Sequence, residues 1–188
     1  MNAPRTDRFD RMYITGFMGS GKSTVGPLLA ASLRYQYIDL DVVIEANEVK
    51  SISELFRERG EAGFRALERK ELGIISARSG VVVSTGGGAL TDAGSLSIIR
   101  ESGVLVYLEV PPGILFTRLR GRTGRPMITA AGGTPLDDDQ LRERIGSLLR
   151  IREPLYRRAD IIVDSGTRSP GETVSAILKS LASLQPTF

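Results

Sequence analysis

Eight residues near the N-terminus carry the plainest chemistry in this chain: Gly16-Phe17-Met18-Gly19-Ser20-Gly21-Lys22-Ser23. Their spacing fits G-x-x-x-x-G-K-[ST], a phosphate-cradling loop. Glycines let backbone N–H groups converge on phosphate oxygens with no Cβ in the way, and a following helix adds the positive end of its dipole. Lys22 can then reach the β- and γ-phosphates, and the Ser23 hydroxyl can ligate Mg2+. The flanks agree. Met12-Tyr13-Ile14-Thr15 is a short β-leaning run, and Val25, Leu28, Leu29 and Leu33 recur at helical spacing.

A phosphate loop of this kind is usually served by an Asp at the end of a second apolar strand. Here Val81-Val82-Val83 runs instead into Ser84-Thr85-Gly86-Gly87-Gly88, with no acid. The strand-end acids are Asp39 and Asp41, in Tyr37-Ile38-Asp39-Leu40-Asp41. One carboxylate could hold Mg2+ through water while the other accepts the hydrogen bond of an acceptor hydroxyl. Equally, either could cap a helix N-terminus. The three glycines at 86–88 can let a ligand touch the main chain, or can form a plain turn.

Three arginines stand out. Arg65 follows Phe64, with Glu61 and Glu68 one helical turn to either side. Arg152 opens Arg152-Glu153-Pro154-Leu155-Tyr156, and Arg125 precedes Pro126. Any one of them alone reads as a solvated salt-bridge partner. As a set they suggest more. Arg65 and Arg152 can clamp an anionic acceptor through their planar forks, and Arg125 can neutralise a transferring phosphoryl group.

The elements that must position these residues alternate along the chain. Apolar runs at Met12–Thr15, Tyr35–Asp39, Val81–Ser84, Val104–Leu108 and Asp160–Val163 predict strands. Helical patterns lie around 22–34, 52–79, 92–102, 111–120, 138–151 and 170–184. Such alternation predicts a parallel sheet covered by helices. Ser51-Ile52-Ser53-Glu54 predicts a capping box. Residues 121–137 hold four glycines and two prolines between two helical patterns, which reads as a lid, or else as a simple surface connection. Residues 1–10 are polar and read as a loose tail, and 11–188 as a single domain.

Composition removes other options. The chain has 188 residues, 41% hydrophobic and 25% charged, with no cysteine and no histidine. Disulfide and thiol chemistry are excluded, and acid–base work falls to Asp, Glu or Lys. No apolar run is long enough to span a membrane, and the N-terminal residues lack the apolar core of a signal peptide. Net charge is +3, but 21 of the 25 basic residues are arginines interleaved with acids. Neither a basic run nor an aromatic platform accompanies them, so nucleic acid is not an expected partner.

Taken in order, G-x-x-G-S-G-K-S-T at 16–24, D-x-D at 39–41, G-E-x-x-F-R at 60–65, G-G-G-A at 86–89, R-P at 125–126 and R-x-P-L-Y at 152–156 resemble the shikimate kinase family over roughly residues 11–184. The resemblance implies a three-layer α/β/α P-loop kinase fold, with a five-stranded parallel sheet in the order 2-3-1-4-5 and a mobile lid. It implies transfer of phosphate from MgATP to the 3-hydroxyl of shikimate, in aromatic amino-acid biosynthesis, by a cytoplasmic and usually monomeric enzyme.

Carried over residue by residue, Gly19, Ser20, Gly21, Lys22, Ser23 and Thr24 would hold the phosphates. Ser23 would hold the metal directly and Asp39 through water. Asp41, Arg65, Gly87 and Arg152 would bind shikimate, with Phe56 and Phe64 near its ring. Lys22, Asp41 and Arg125 would act in the transfer, and Arg168, near Pro170, would line the adenine, with Arg122 as a second adenine-side arginine. Two departures stand out: Met127-Ile128 after Arg125-Pro126 where two leucines are usual, and Ala46-Asn47-Glu48 where Arg-Thr-Gly often occurs. A kinase acting on another small acid such as gluconate, a silent nucleotide-binding relative and a nucleic-acid-handling NTPase are the competing readings. The joint presence of Lys22, Asp41, Arg65, Gly87, Arg125 and Arg152 weighs against them.

Overall fold

A computed structural model describes residues 8–122, 126–128 and 134–184. The five predicted strands form one parallel sheet. β1 (Arg11–Thr15), β2 (Gln36–Asp39), β3 (Val81–Ser84), β4 (Val104–Glu109) and β5 (Ile161–Asp164) lie in the order β2-β3-β1-β4-β5. The three inner strands are buried almost throughout, because helices cover both faces of a parallel sheet. The edge strands β2 and β5 are partly exposed. Arg11 is buried at the start of β1, and its guanidinium is satisfied by the carbonyls of Ser102 and Arg78, at 2.5 and 2.9 Å.

The period-two alternation of β1 divides the core. Met12 and Ile14 face α1 (Lys22–Leu33) and α7 (Pro170–Leu184), packing with Val25, Leu29, Val174 and Ile177. Tyr13 points to the opposite face. There it meets a larger cluster fed by α2 (Leu40–Glu48), α3 (Ile52–Ile75), α4 (Ala93–Ser102), α5 (Pro112–Leu119) and α6 (Asp138–Tyr156). The architecture is thus three layers, as expected from the alternation.

Local chemistry sets the helix ends. Ser51 caps α3 with the predicted reciprocal box: its hydroxyl accepts from Glu54 N, and Glu54 accepts from Ser51 N. The continuous helix expected over 52–79 is broken at Gly60, whose φ of 65° and ψ of −179° lie outside helical space. Only glycine takes this conformation without strain. α6 runs to Tyr156, beyond the expected end near 151, carrying Pro154 inside its last turns. Proline lacks an N–H and reads in sequence as a stop, but here one lost bond is tolerated close to the helix terminus. Arg8–Asp10, read in sequence as tail, form a 3-10 turn. Arg8 donates to Asp160 Oδ2 at 2.8 Å, and the same oxygen accepts Leu105 N–H.

Gly60→Ala is expected to cost about 1–3 kcal/mol, because it forces a Cβ into a glycine-only backbone. Gly73→Ala, in a regular part of α3 with open space around the new methyl, should gain about 0.5–1 kcal/mol. Urea denaturation of the two variants checks the pair; equal effects would mean that α3 is not broken at Gly60.

Candidate active site

The three loops leaving β1, β2 and β3 meet at the carboxyl edge of the sheet. Parallel register puts Ile14 opposite Ser84, and Ser84 opposite Asp39. The phosphate loop, the acidic pair and the glycine triplet therefore emerge side by side. They line one cleft of about 800 Å³.

At the donor end, the loop turns between β1 and α1. The N–H groups of Gly19, Gly21 and Ser23 have no protein partner among the described residues, so they can serve phosphate oxygens. Lys22 Nζ donates to the carbonyls of Gly16 and Phe17, at 2.8 and 3.1 Å, which holds its ammonium at the loop. Ser20 and Thr24 line the same end, and the buried Ser20 hydroxyl is unpartnered among the described residues. Arg118 of α5 donates to Gly19 O at 3.0 Å, and to Ser165 O and Gly166 O at 3.2 and 3.3 Å. It ties the phosphate loop to the loop after β5. Arg168 is exposed at that mouth, donating to Asp164 O at 3.0 Å, with Pro170 and Arg122 nearby in the cleft wall.

Between the two ends lies the acidic pair, and the capping reading holds for Asp39. Asp39 Oδ1 accepts Asp41 N–H at 3.1 Å and so caps α2. Asp39 Oδ2 sits 3.3 Å from the Tyr37 hydroxyl, which also bridges to Ser84 Oγ at 3.1 Å. Both carboxylates line the cleft.

At the far end, charge is buried. Arg65 is 8% exposed and Arg152 is 4% exposed. Arg65 is no solvated surface arginine. It donates to Glu68 Oε2 at 2.5 Å and to Glu61 Oε1 at 2.8 Å. Burial acts to lower its pKa, but the two glutamates outweigh that and raise it. Glu68 is fully buried, and burial pushes its carboxyl up to about 7, against the attraction of Arg65. Arg65 Nε and Glu68 Oε1 are both buried without partners among the described residues. Buried polar atoms left unpaired are costly, and at a cleft wall they mark a place for ligand atoms. Phe56 and Phe64 pack face to tilted face beside Arg65, with ring centroids 4.7 Å apart.

The glycine triplet is pressed against this cluster. A Cβ on Gly88 would lie 2.0 Å from Arg65 Nη2, and one on Gly86 2.5 Å from Glu68 Oε1 and 3.3 Å from Asp41 Oδ1. No side chain larger than hydrogen fits there. The triplet is therefore packed against the buried charges and lines the cleft.

The cleft thus gathers every sequence-named site residue except Arg125, which lies outside the described residues, as does much of the expected lid. Glu68 and Arg118 are additions to its lining, and Tyr156 meets it through the Gly87 carbonyl. Glu68 had a signal, its one-turn spacing from Arg65. Tyr156 had a weaker one, standing one turn beyond Arg152. Arg118 had none, because its partners are backbone carbonyls 47, 48 and 99 residues away.

The comparisons with known proteins agree with this geometry. A family model described as shikimate kinase matches residues 18–182. A shikimate kinase of Chlorobaculum parvum is 43% identical over 170 residues, covering 90% of this chain and 91% of its own. Among solved structures, a shikimate kinase from Acinetobacter baumannii in complex with shikimate superposes with a TM-score of 0.86 at 30% identity, covering 95% of this chain and 96% of its own. The shikimate kinase of Aquifex aeolicus gives 0.78 at 36%, covering 92% and 96%. A phosphate loop, an acidic pair and two buried arginines on one glycine cradle, with relatives this similar over nearly the whole chain, place the protein in the shikimate kinase family.

Proposed function

We propose that this chain transfers the γ-phosphoryl group of ATP to the 3-hydroxyl of shikimate, giving shikimate 3-phosphate and ADP. The observation that carries this reading is the pair of buried guanidiniums, Arg65 and Arg152, beside the glycine triplet in the cleft wall. Two buried cations beside a glycine cradle suit a small acid: its carboxylate replaces the water that burial removed. The unpartnered Glu68 Oε1 and Arg65 Nε suit the hydroxyls and carboxylate of such a ring.

In the transfer, the acceptor oxygen forms the new bond to phosphorus as the bond from the γ-phosphorus to the bridging oxygen breaks and ADP leaves. Asp41 orients the acceptor hydroxyl and takes its proton. Lys22 and the loop N–H groups hold the β- and γ-phosphates, and Arg125 stabilises the transferring charge from the lid segment. Arg168 lines the base. The Ser23 hydroxyl and Asp39 carboxylate are hard oxygen donors lining one cleft, a set that fits Mg2+; Ser23 would hold it directly and Asp39 through water. When bound, Mg2+ screens the charge on the β- and γ-phosphates. The chain works as a monomer in the cytoplasm, as its family implies. Among the described residues no helix is long and apolar enough to cross a membrane.

Release of ADP measured with shikimate, quinate and gluconate side by side tests the reading: shikimate should support it, and its failure to do so with folded protein would overturn the proposal. Asp41→Asn should lower kcat by about 10²–10⁴-fold, the usual worth of a positioned acid–base group. Near-normal turnover would remove Asp41 from that role. Arg152→Ala should raise the shikimate KM by about 30-fold or more while leaving the ATP KM nearly unchanged. The pH dependence follows from Glu68. An acceptor carboxylate near Arg65 and Arg152 adds negative charge beside Glu68 and favours its protonated form, so binding takes up a proton. Shikimate affinity should therefore weaken as pH rises through about 7. Glu68→Gln should flatten that slope in calorimetric titrations, and an unchanged slope would assign it to another group.

A further inference from the structure

Tyr156 ends α6 one turn beyond Arg152, and it is 1% exposed. A phenol this deep needs a partner for its hydroxyl. It finds two: the hydroxyl donates to the carbonyl of Gly87 and accepts from the Arg152 guanidinium. The ring itself is held. Tyr107 of β4 packs on it with centroids 5.1 Å apart and planes tilted by 34°. Burial pushes the phenol up to about 12, so it remains a donor across the neutral range.

What that bond controls is the glycine triplet. A run of three glycines has more backbone freedom than any other sequence, and nothing in its side chains restrains it. The C=O and N–H of one planar peptide unit point in opposite directions. Holding the Gly87 carbonyl on Tyr156 therefore fixes the direction of the Gly88 N–H. Neither the Gly87 nor the Gly88 N–H has a partner among the described residues, so both remain for a ligand. Crowding around Gly87 points the same way. A Cβ there would lie 3.3 Å from Gly16 O, 3.5 Å from the Tyr156 hydroxyl and 3.6 Å from Arg152 Nη1. The phosphate loop, the anion clamp and Tyr156 all bear on this one residue.

We propose that Tyr156 is a positioning residue for the phosphoryl acceptor: its hydroxyl holds the Gly87–Gly88 peptide against Arg152 and so fixes the direction of the Gly88 N–H in the cleft wall. The proposal rests on the assignment of Arg65, Gly87 and Arg152 to acceptor binding. Helix α6 then supplies two things one turn apart, a cation for the acceptor's carboxylate and a clamp on the backbone that meets the same molecule. The role is invisible to a search for groups that touch substrate, because Tyr156 acts through the Gly87 carbonyl and the Arg152 guanidinium.

Tyr156→Phe keeps the ring and its stacking and removes only the hydroxyl. The shikimate KM should rise about tenfold, the scale of one buried hydrogen bond, while the ATP KM stays within about twofold. A merely structural tyrosine would shift Tm and leave the two KM values unchanged or raise them together, and either result overturns the proposal. The wild-type protein is assayed alongside. If it fails to phosphorylate shikimate, the functional reading has failed; if it succeeds and Tyr156→Phe shows no split, only the positioning role has. Should Tyr156→Phe not fold, replacing Tyr156 with a fluorinated tyrosine that ionises near neutral pH makes the comparison in a protein of the same shape. Its shikimate KM should climb relative to wild type as the phenol loses its proton, and parallel pH courses in the two proteins would overturn the assignment.

Discussion

Parallel strands can only be joined by connections that cross from one end of the sheet to the other, so every strand delivers its carboxyl end to the same edge. In this protein that constraint makes the site. β1 ends in the phosphate loop, β2 ends in Asp39, and β3 ends in Ser84 and the glycine triplet. Register alone brings Ile14, Ser84 and Asp39 level, although 45 residues separate Asp39 from Ser84. A slip of one residue in β3 would swap its valines between the two core clusters and displace the glycines from the acidic pair. The chemistry depends on a hydrogen-bond ladder that takes no part in it.

The second constraint is electrostatic. Arg65, Glu68 and Arg152 are buried within one cluster beside Asp41. Buried charge is costly unless it is paired, and the pairing seen is incomplete: Arg65 satisfies one oxygen of Glu68 and leaves the other without a partner among the described residues. Such a cluster is pre-organised and under-satisfied. A ligand that brings a carboxylate and hydroxyls completes it without reorganising the protein, which is what electrostatic pre-organisation requires. Glycines at 86–88 are part of the same bargain, since any side chain there would fill the space the charges need.

Much of the site was legible because its signals are local. A phosphate loop must place its glycines, lysine and serine within eight residues, and the D-x-D pair and the one-turn neighbours of Arg65 are likewise read within a single element. The sheet was legible because strands buried on both faces must be nearly all apolar. The shortfalls have physical causes. Gly60 sits inside a helical pattern, and no pattern of apolar residues says that its φ is positive. Pro154 reads as a helix stop, yet α6 carries Arg152 and Tyr156 on its last turns. Asp39 caps α2 through Oδ1 and accepts from the Tyr37 hydroxyl through Oδ2, a division of labour between two oxygens that the sequence does not mark.

The sequence by itself determined the donor chemistry and the kinds of group on offer: a phosphate cradle, two acids leaving a strand, three glycines and a set of arginines. It did so because each depends on residue type at short spacing along one chain. Only the tertiary structure decided which arginines are buried, that Glu68 is forced toward its protonated form, that Arg118 ties the phosphate loop to the loop after β5, and that Tyr156 holds the glycine triplet. Burial and desolvation are properties of everything packed around a residue, and hydrogen bonds to distant carbonyls leave no mark on the side-chain sequence. The motif supplies the groups; the fold supplies the dry, fixed surroundings in which they act.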